Sequence, residues 1–175
     1  MKSSGLASRL KRVKILLCDV DGVLTDTSVF IGGDREVKRF NIQDGLGLVL
    51  LRKCGIKVGW ISSRPSSATK LRAVELKIDF LVQQKKSKVA AVERVLTRAG
   101  FRWAQVCYVG DDIVDLDVMR RAGLAIAVIN AVDEAKAAAH YVTRNAGGHG
   151  AVREVAEMIL KAQSKWQQLV AGYAE

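Results

Sequence analysis

Aromatic residues fill only 6% of the 175 positions, proline occurs once and cysteine three times. The shortage of rings counts against a nucleic-acid groove, where aromatic faces stack on bases between cations. Cys18, Cys54 and Cys107 lie far apart. Their spacing matches no zinc motif or disulfide framework and fits a reducing cytosol. No apolar run approaches the ~20 residues a membrane span needs, and the basic start "MKSSGLASRLKRVK" lacks the apolar core of a signal peptide. There is no low-complexity tract, long linker or fixed-period repeat. One domain over 1–175 is therefore expected, with a sizeable core of its own.

Positive charge is what the chain has in excess. There are 28 Lys+Arg against 18 Asp+Glu, a net +10, and the pI is near 9.8. That balance favours an anionic partner: nucleic acid, acidic lipid or a small phosphorylated substrate. The basic residues are scattered rather than gathered on one segment. Against this background, "VKILLCDVDGVLTD" is unusual, because Asp19, Asp21 and Asp26 directly follow the apolar Val13, Ile15, Leu16 and Leu17.

Apolar runs at 13–18, 57–61, 79–82, 104–110 and 124–129 read as strands covered on both faces. Segments of helical period separate them, and Gly55, Gly100 and Gly123 stand where C-terminal cap glycines are expected. This alternation predicts a doubly wound, Rossmann-like α/β fold with a parallel sheet. Residues 28–40 break the pattern and read as an inserted β-hairpin around Gly32–Gly33. Residues 150–171 read as one closing amphipathic helix.

In such sheets, ligands bind beyond the carboxyl ends of the strands. Asp19 and Asp21 follow the first strand, two apart, so extended geometry would point both side chains one way. Ser62 and Arg64 follow the second, Lys88 opens a helix after the third, and Asp111 and Asp112 follow the fourth. Each has a plain alternative. Asp-Gly is a common turn pair, Asp111 and Asp112 suit a helix N-terminus, Ser62 suits a turn, and Lys88 suits a solvated surface. Together they describe a Mg²⁺ site beside a phosphate pocket, with carboxylate oxygens for the metal and a hydroxyl and an ammonium for the phosphoryl group.

"DVDGVLTD", "ISSR", Lys88 and "VGDDIVD" resemble the four ordered motifs of the haloacid dehalogenase-like (HAD) phosphatases. "FNIQDGLGL", "YVGDDIVDLDVM" and "YVTRNAGGHGAVREV" resemble, within them, the 3-deoxy-D-manno-octulosonate 8-phosphate (KDO8P) phosphatases. The resemblance spans residues 13 to 165 and implies a HAD-like fold without a cap domain. It implies Asp19 as nucleophile, Asp21 as proton donor and acceptor, and Ser62 and Lys88 on the phosphoryl group. Mg²⁺ would be held by the Asp19 carboxylate, the Asp21 carbonyl and Asp111, with Asp112 and Asp115 supporting from behind. Gly22 would keep the backbone close to the phosphate. Asn41, Ile42, Gln43, Asp44, Gly45, Arg64, Arg72 and Lys88 would face the substrate, a small anionic sugar-acid phosphate. Two positions depart from the family pattern: Val49 and His149 stand where arginines are usual.

The resemblance further implies a cytoplasmic enzyme of lipopolysaccharide precursor synthesis. It implies a homotetramer joined through 28–40, where the apolar Val29, Phe30 and Ile31 lie, with no nucleic-acid or membrane partner. Two rival readings remain. One keeps the phosphatase and changes the sugar, to a sialic-type 9-phosphate or a broad range of esters. The other is a non-catalytic anion-binding scaffold.

Overall fold

Runs of β-branched and aliphatic residues with no polar alternation must be covered on both sides, which a parallel sheet flanked by helices achieves. The computed structural model describes residues 2–32 and 35–173. Its main sheet has six strands: β1 (Ile15–Cys18), β4 (Lys57–Ser62), β5 (Phe80–Gln83), β6 (Val106–Gly110), β7 (Leu124–Ala127) and β8 (Tyr141–Val142). They run in the order β5-β4-β1-β6-β7-β8, every neighbouring pair parallel. Two short strands, β2 (Phe30–Gly32) and β3 (Arg35–Val37), pair antiparallel as the hairpin. Gly33 and Asp34 of that expected hairpin lie outside the described residues.

The helices are α1 (Lys2–Arg12), α2 (Ile42–Lys53), α3 (Ser67–Glu75), α4 (Lys88–Ala99), α5 (Leu116–Arg121), α6 (Asp133–Ala138), α7 (Ala151–Ala162) and α8 (Trp166–Ala171). Two groups, α1 with α2 and α7, and α4 with α5 and α6, each pack together and against the sheet. Ile15, Leu16 and Leu17 are wholly buried between the layers, each contributing roughly 1.5–3 kcal/mol by leaving water. No described helix is long and apolar enough to cross a membrane.

Three expectations change. The closing segment is two helices, because Ser164 takes a left-handed φ of 57° between α7 and α8. There Gln163 donates to the carbonyls of Leu10 and Val13, tying the break to the end of α1. Gly55 and Gly100 have the left-handed φ of a helix stop, but Gly123 does not. Its missing β-carbon instead admits the Ala104 carbonyl, which a side chain would meet at 2.3 Å. Finally, α1 and β8 were not anticipated.

The sheet order places the switch of winding direction at β1. The chain moves outward from β1 through β4 and β5, then returns to build β6, β7 and β8 on the other side. The loops after β1, β4 and β6 therefore meet at the crevice where this architecture collects ligands.

Candidate active site

Asp19 is the last residue to follow the ladder of β1, its N–H donating to the Val109 carbonyl at 3.0 Å. The chain then turns tightly, with Leu24 and Thr25 N–H groups on the Val20 carbonyl. Asp19 and Asp21 therefore do not share the extended geometry expected of them. The Asp21 carboxylate turns to Lys38 Nζ at 2.6 Å, whereas that of Asp19 meets Lys88 Nζ at 3.1 Å. Gly22 makes the turn possible with φ +96°, and a β-carbon there would lie 1.9 Å from Asp111 Oδ2. The close approach that this glycine permits is to the Asp111 carboxylate.

Lys88 emerges from the first turn of α4 and is buried. It bridges Asp19 and Asp115, the latter at 2.7 Å. Asp115 is fully buried and its oxygens are used up. Oδ1 accepts from Lys88 and from the Tyr108 hydroxyl, and Oδ2 from the N–H groups of Asp111 and Asp112. Gly110 leaves room for it, since a β-carbon there would meet the Asp115 carboxyl at 2.8 Å. Burial lowers the Lys88 pKa, but Asp19 and Asp115 outweigh it and hold the ammonium above its usual range.

Asp112 does not sit behind this set. Its side chain is exposed and caps its own turn through the Ile113 N–H, because Asp115 already fills the buried position.

Oxygens of Asp19, Asp111 and Asp115 lie within 4.8 Å of one another. Burial pushes the Asp111 carboxyl up to about 8, reinforced by the charges of Asp19 and Asp115. Burial and Asp115 also raise Asp19, against the pull of Lys88 and a backbone N–H. Asp111 Oδ1 is buried with no hydrogen-bond partner. An orphaned carboxylate oxygen beside a second carboxylate is what a hard divalent cation satisfies. Asp19 and Asp111 carry the free oxygens for it. Asp115, already saturated, does not.

Ser62 ends β4 with its hydroxyl in a turn, accepting the Arg64 N–H at 3.0 Å. Arg64 pairs with Glu36 of the hairpin at 2.5 Å, and its buried Nη1 has no partner. Arg72 lies against Gly45, where a β-carbon would be 2.5 Å from its Nη2, and pairs with Glu75.

Of the loop residues expected to face a substrate, Asn41 caps α2 by accepting from the Gln43 and Asp44 N–H groups, while Ile42 and Gln43 are exposed. Asp44 is corrected: its carboxylate is buried on the N-terminus of α7, accepting from the Gly150 and Arg153 N–H groups. Those donors lack partners within their own helix, and the dipole there favours an acid. Val49 is half-buried, and His149 contacts Arg39, which pairs with Asp26.

Lys38, Glu36 and Tyr108 were missed. The two-residue spacing of Glu36 and Lys38 would have placed them on one face of a strand.

A model of haloacid dehalogenase-like hydrolases matches residues 50–155. The 3-deoxy-D-manno-octulosonate 8-phosphate phosphatase of Yersinia pestis is 40% identical over 158 residues, 90% of this chain and 84% of that protein. The chain belongs to the haloacid dehalogenase-like hydrolases. Among solved HAD structures, that of the same-named phosphatase from Moraxella catarrhalis, in complex with magnesium, phosphate and KDO, superposes with a TM-score of 0.93. It is 37% identical, with 96% of this chain and 97% of that one covered. The cobalt-bound form of the Haemophilus influenzae phosphatase gives 0.87 at 37% identity, covering 90% and 92%.

Proposed function

We propose that this HAD enzyme hydrolyses 3-deoxy-D-manno-octulosonate 8-phosphate to KDO and inorganic phosphate. The observation that carries the chemistry is the Asp19–Lys88–Asp115 bridge beside the unpartnered oxygen of Asp111. The full-length likeness to phosphatases of that name supports the sugar. An Asp19 oxygen attacks phosphorus and the ester bond to the sugar breaks, with Asp21 giving its proton to the departing oxygen. Water then attacks the aspartyl-phosphate, Asp21 takes a proton back, and phosphate leaves Asp19. Lys88 and Ser62 bind the phosphoryl oxygens, and Asp115 holds Lys88 in place. Asp19 and Asp111, with the Asp21 carbonyl, would hold Mg²⁺, which neutralises charge on the transferring group.

Arg64 and Arg72, both with an unpartnered buried nitrogen, are assigned to the sugar acid's carboxylate. The reading places the enzyme in the cytoplasm, on the route to lipopolysaccharide, which suits its three free cysteines.

Phosphate release from KDO8P, a sialic-type 9-phosphate and 4-nitrophenyl phosphate, with Mg²⁺ and with EDTA, tests the proposal. Magnesium-dependent turnover that favours KDO8P and vanishes in Asp19→Asn is expected. Equal turnover of all three esters would remove the assigned sugar, and no turnover would leave a scaffold.

A further inference from the structure

Lys38 is a cation in an expensive place. Its side chain has no exposed surface, and its Nζ lies 2.6 Å from Asp21 Oδ1 and 3.6 Å from Glu36 Oε1. Burying an ammonium costs several kcal/mol unless opposite charge meets it closely. The nearer of the two acids is Asp21, a residue of the opening motif. Lys38 is also the one described side chain that holds the Asp21 carboxylate, which is 27% exposed and otherwise open.

The strand that delivers Lys38 is itself pinned. Glu36 accepts from the Ser66 hydroxyl at 2.6 Å and pairs with Arg64, so β3 is anchored at the entry to α3. Ser66 is in turn the cap of α3, accepting from the Thr69 N–H. Two residues on, the same face of the hairpin reaches Asp21. The main sheet, through β4 and the loop to α3, thus sets where the Lys38 ammonium stands. A short charge-assisted bond from that fixed point sets where the carboxylate stands.

We infer that Lys38 is a positioning residue for Asp21, holding its carboxylate where it serves the leaving oxygen. This rests on the proton-transfer role given to Asp21 above. Sugar alkoxides leave poorly without a proton, whereas nitrophenolate leaves well without one. A misplaced proton donor should therefore penalise the sugar ester selectively.

Lys38→Met keeps the stem and removes the charge. Its kcat/KM should fall on the sugar phosphate by about 10–100-fold, within the range that positioned acid catalysis supplies. On 4-nitrophenyl phosphate the loss should stay below about 3-fold by the same reasoning. Lys38→Arg should recover part of the sugar-ester activity. Should Lys38→Met not fold by circular dichroism, Lys38→Gln carries the same comparison. Equal losses on both esters, or undiminished sugar-ester activity without the charge, would overturn the role of Lys38 alone. A wild-type protein inert to every ester would overturn the function and this role with it.

Discussion

Asp111 combines burial, the like charges of Asp19, Asp115 and Asp112, and an oxygen without a partner. Its carboxyl is raised to about 8 in the folded chain, against about 3.9 when unfolded. Between those values the folded state holds a proton the unfolded state has lost, so metal-free stability falls as pH rises through the window. Asp19 shifts in the same direction. In EDTA, the melting midpoint should therefore be lower near about pH 8.5 than near about pH 6. Magnesium should raise it more at the higher pH, where the carboxylates are free to bind. A calorimetric series at both values checks this, and a flat metal-free profile would contradict it. The acids themselves were readable, since they crowd the ends of apolar strands in a basic chain. Which of them faces which was not. The turn from Val20 through Gly22 separates Asp19 from Asp21, and the Asp-Gly pair signals a turn without saying which way each carboxylate faces after it.

Among the elements, the strands were the most legible, because burial on both faces demands the uninterrupted apolar runs that mark them. The start of α7 was the least. Gly150 caps it without a side chain, and the acid that satisfies its first N–H groups is Asp44, from α2. A cap supplied from so far along the chain has no local signature, and the substrate-facing place of Asp44 was what the family resemblance implied. Asp44→Asn should lower stability by roughly 1–3 kcal/mol, the cost of weakening a buried charge-assisted pair of bonds. Chemical denaturation measures this, and KM for the sugar phosphate should stay unchanged. A raised KM with unaltered stability would return Asp44 to the substrate. The break between α7 and α8 was equally hidden. Apolar periodicity runs across it, and the stop lies in one left-handed serine held by distant carbonyls.

For the whole molecule, the hairpin is the feature that asks for a partner. Phe30 and Val37, opposed on one face of the hairpin, are each 59% exposed, costly apolar surface for a lone chain to leave in water. The inner side of the same hairpin carries Glu36 and Lys38 into the site. Assembly through residues 28–40 is the proposed use of the outer side, with four copies expected. Phe30→Asp should shift the sedimentation coefficient towards smaller species, and an unchanged coefficient would move the interface elsewhere. The fold's outline was legible at this scale as well, since the alternation of strands and helices is a property of the chain, although the short sixth strand of the sheet, β8, escaped it. The pairing of charges across the hairpin was not, because it depends on how β3 lies over the loop after β1.

The tail loop bears on the order of events during synthesis. Gly147 lies so close to the Gly22 carbonyl that a β-carbon would sit 1.8 Å from it, and the Gly148 N–H donates to the Val23 carbonyl at 3.0 Å. The loop that presents Asp19 and Asp21 leaves the ribosome well before the residues that clamp it. A nascent chain therefore carries its reactive aspartates unsupported until residues 147–148 appear. Closure then joins segments far apart in sequence, the kind of non-local contact that forms late and slowly. Competence waits for residues 147–148, so a product cut short of them carries the motif but lacks the clamp on its loop.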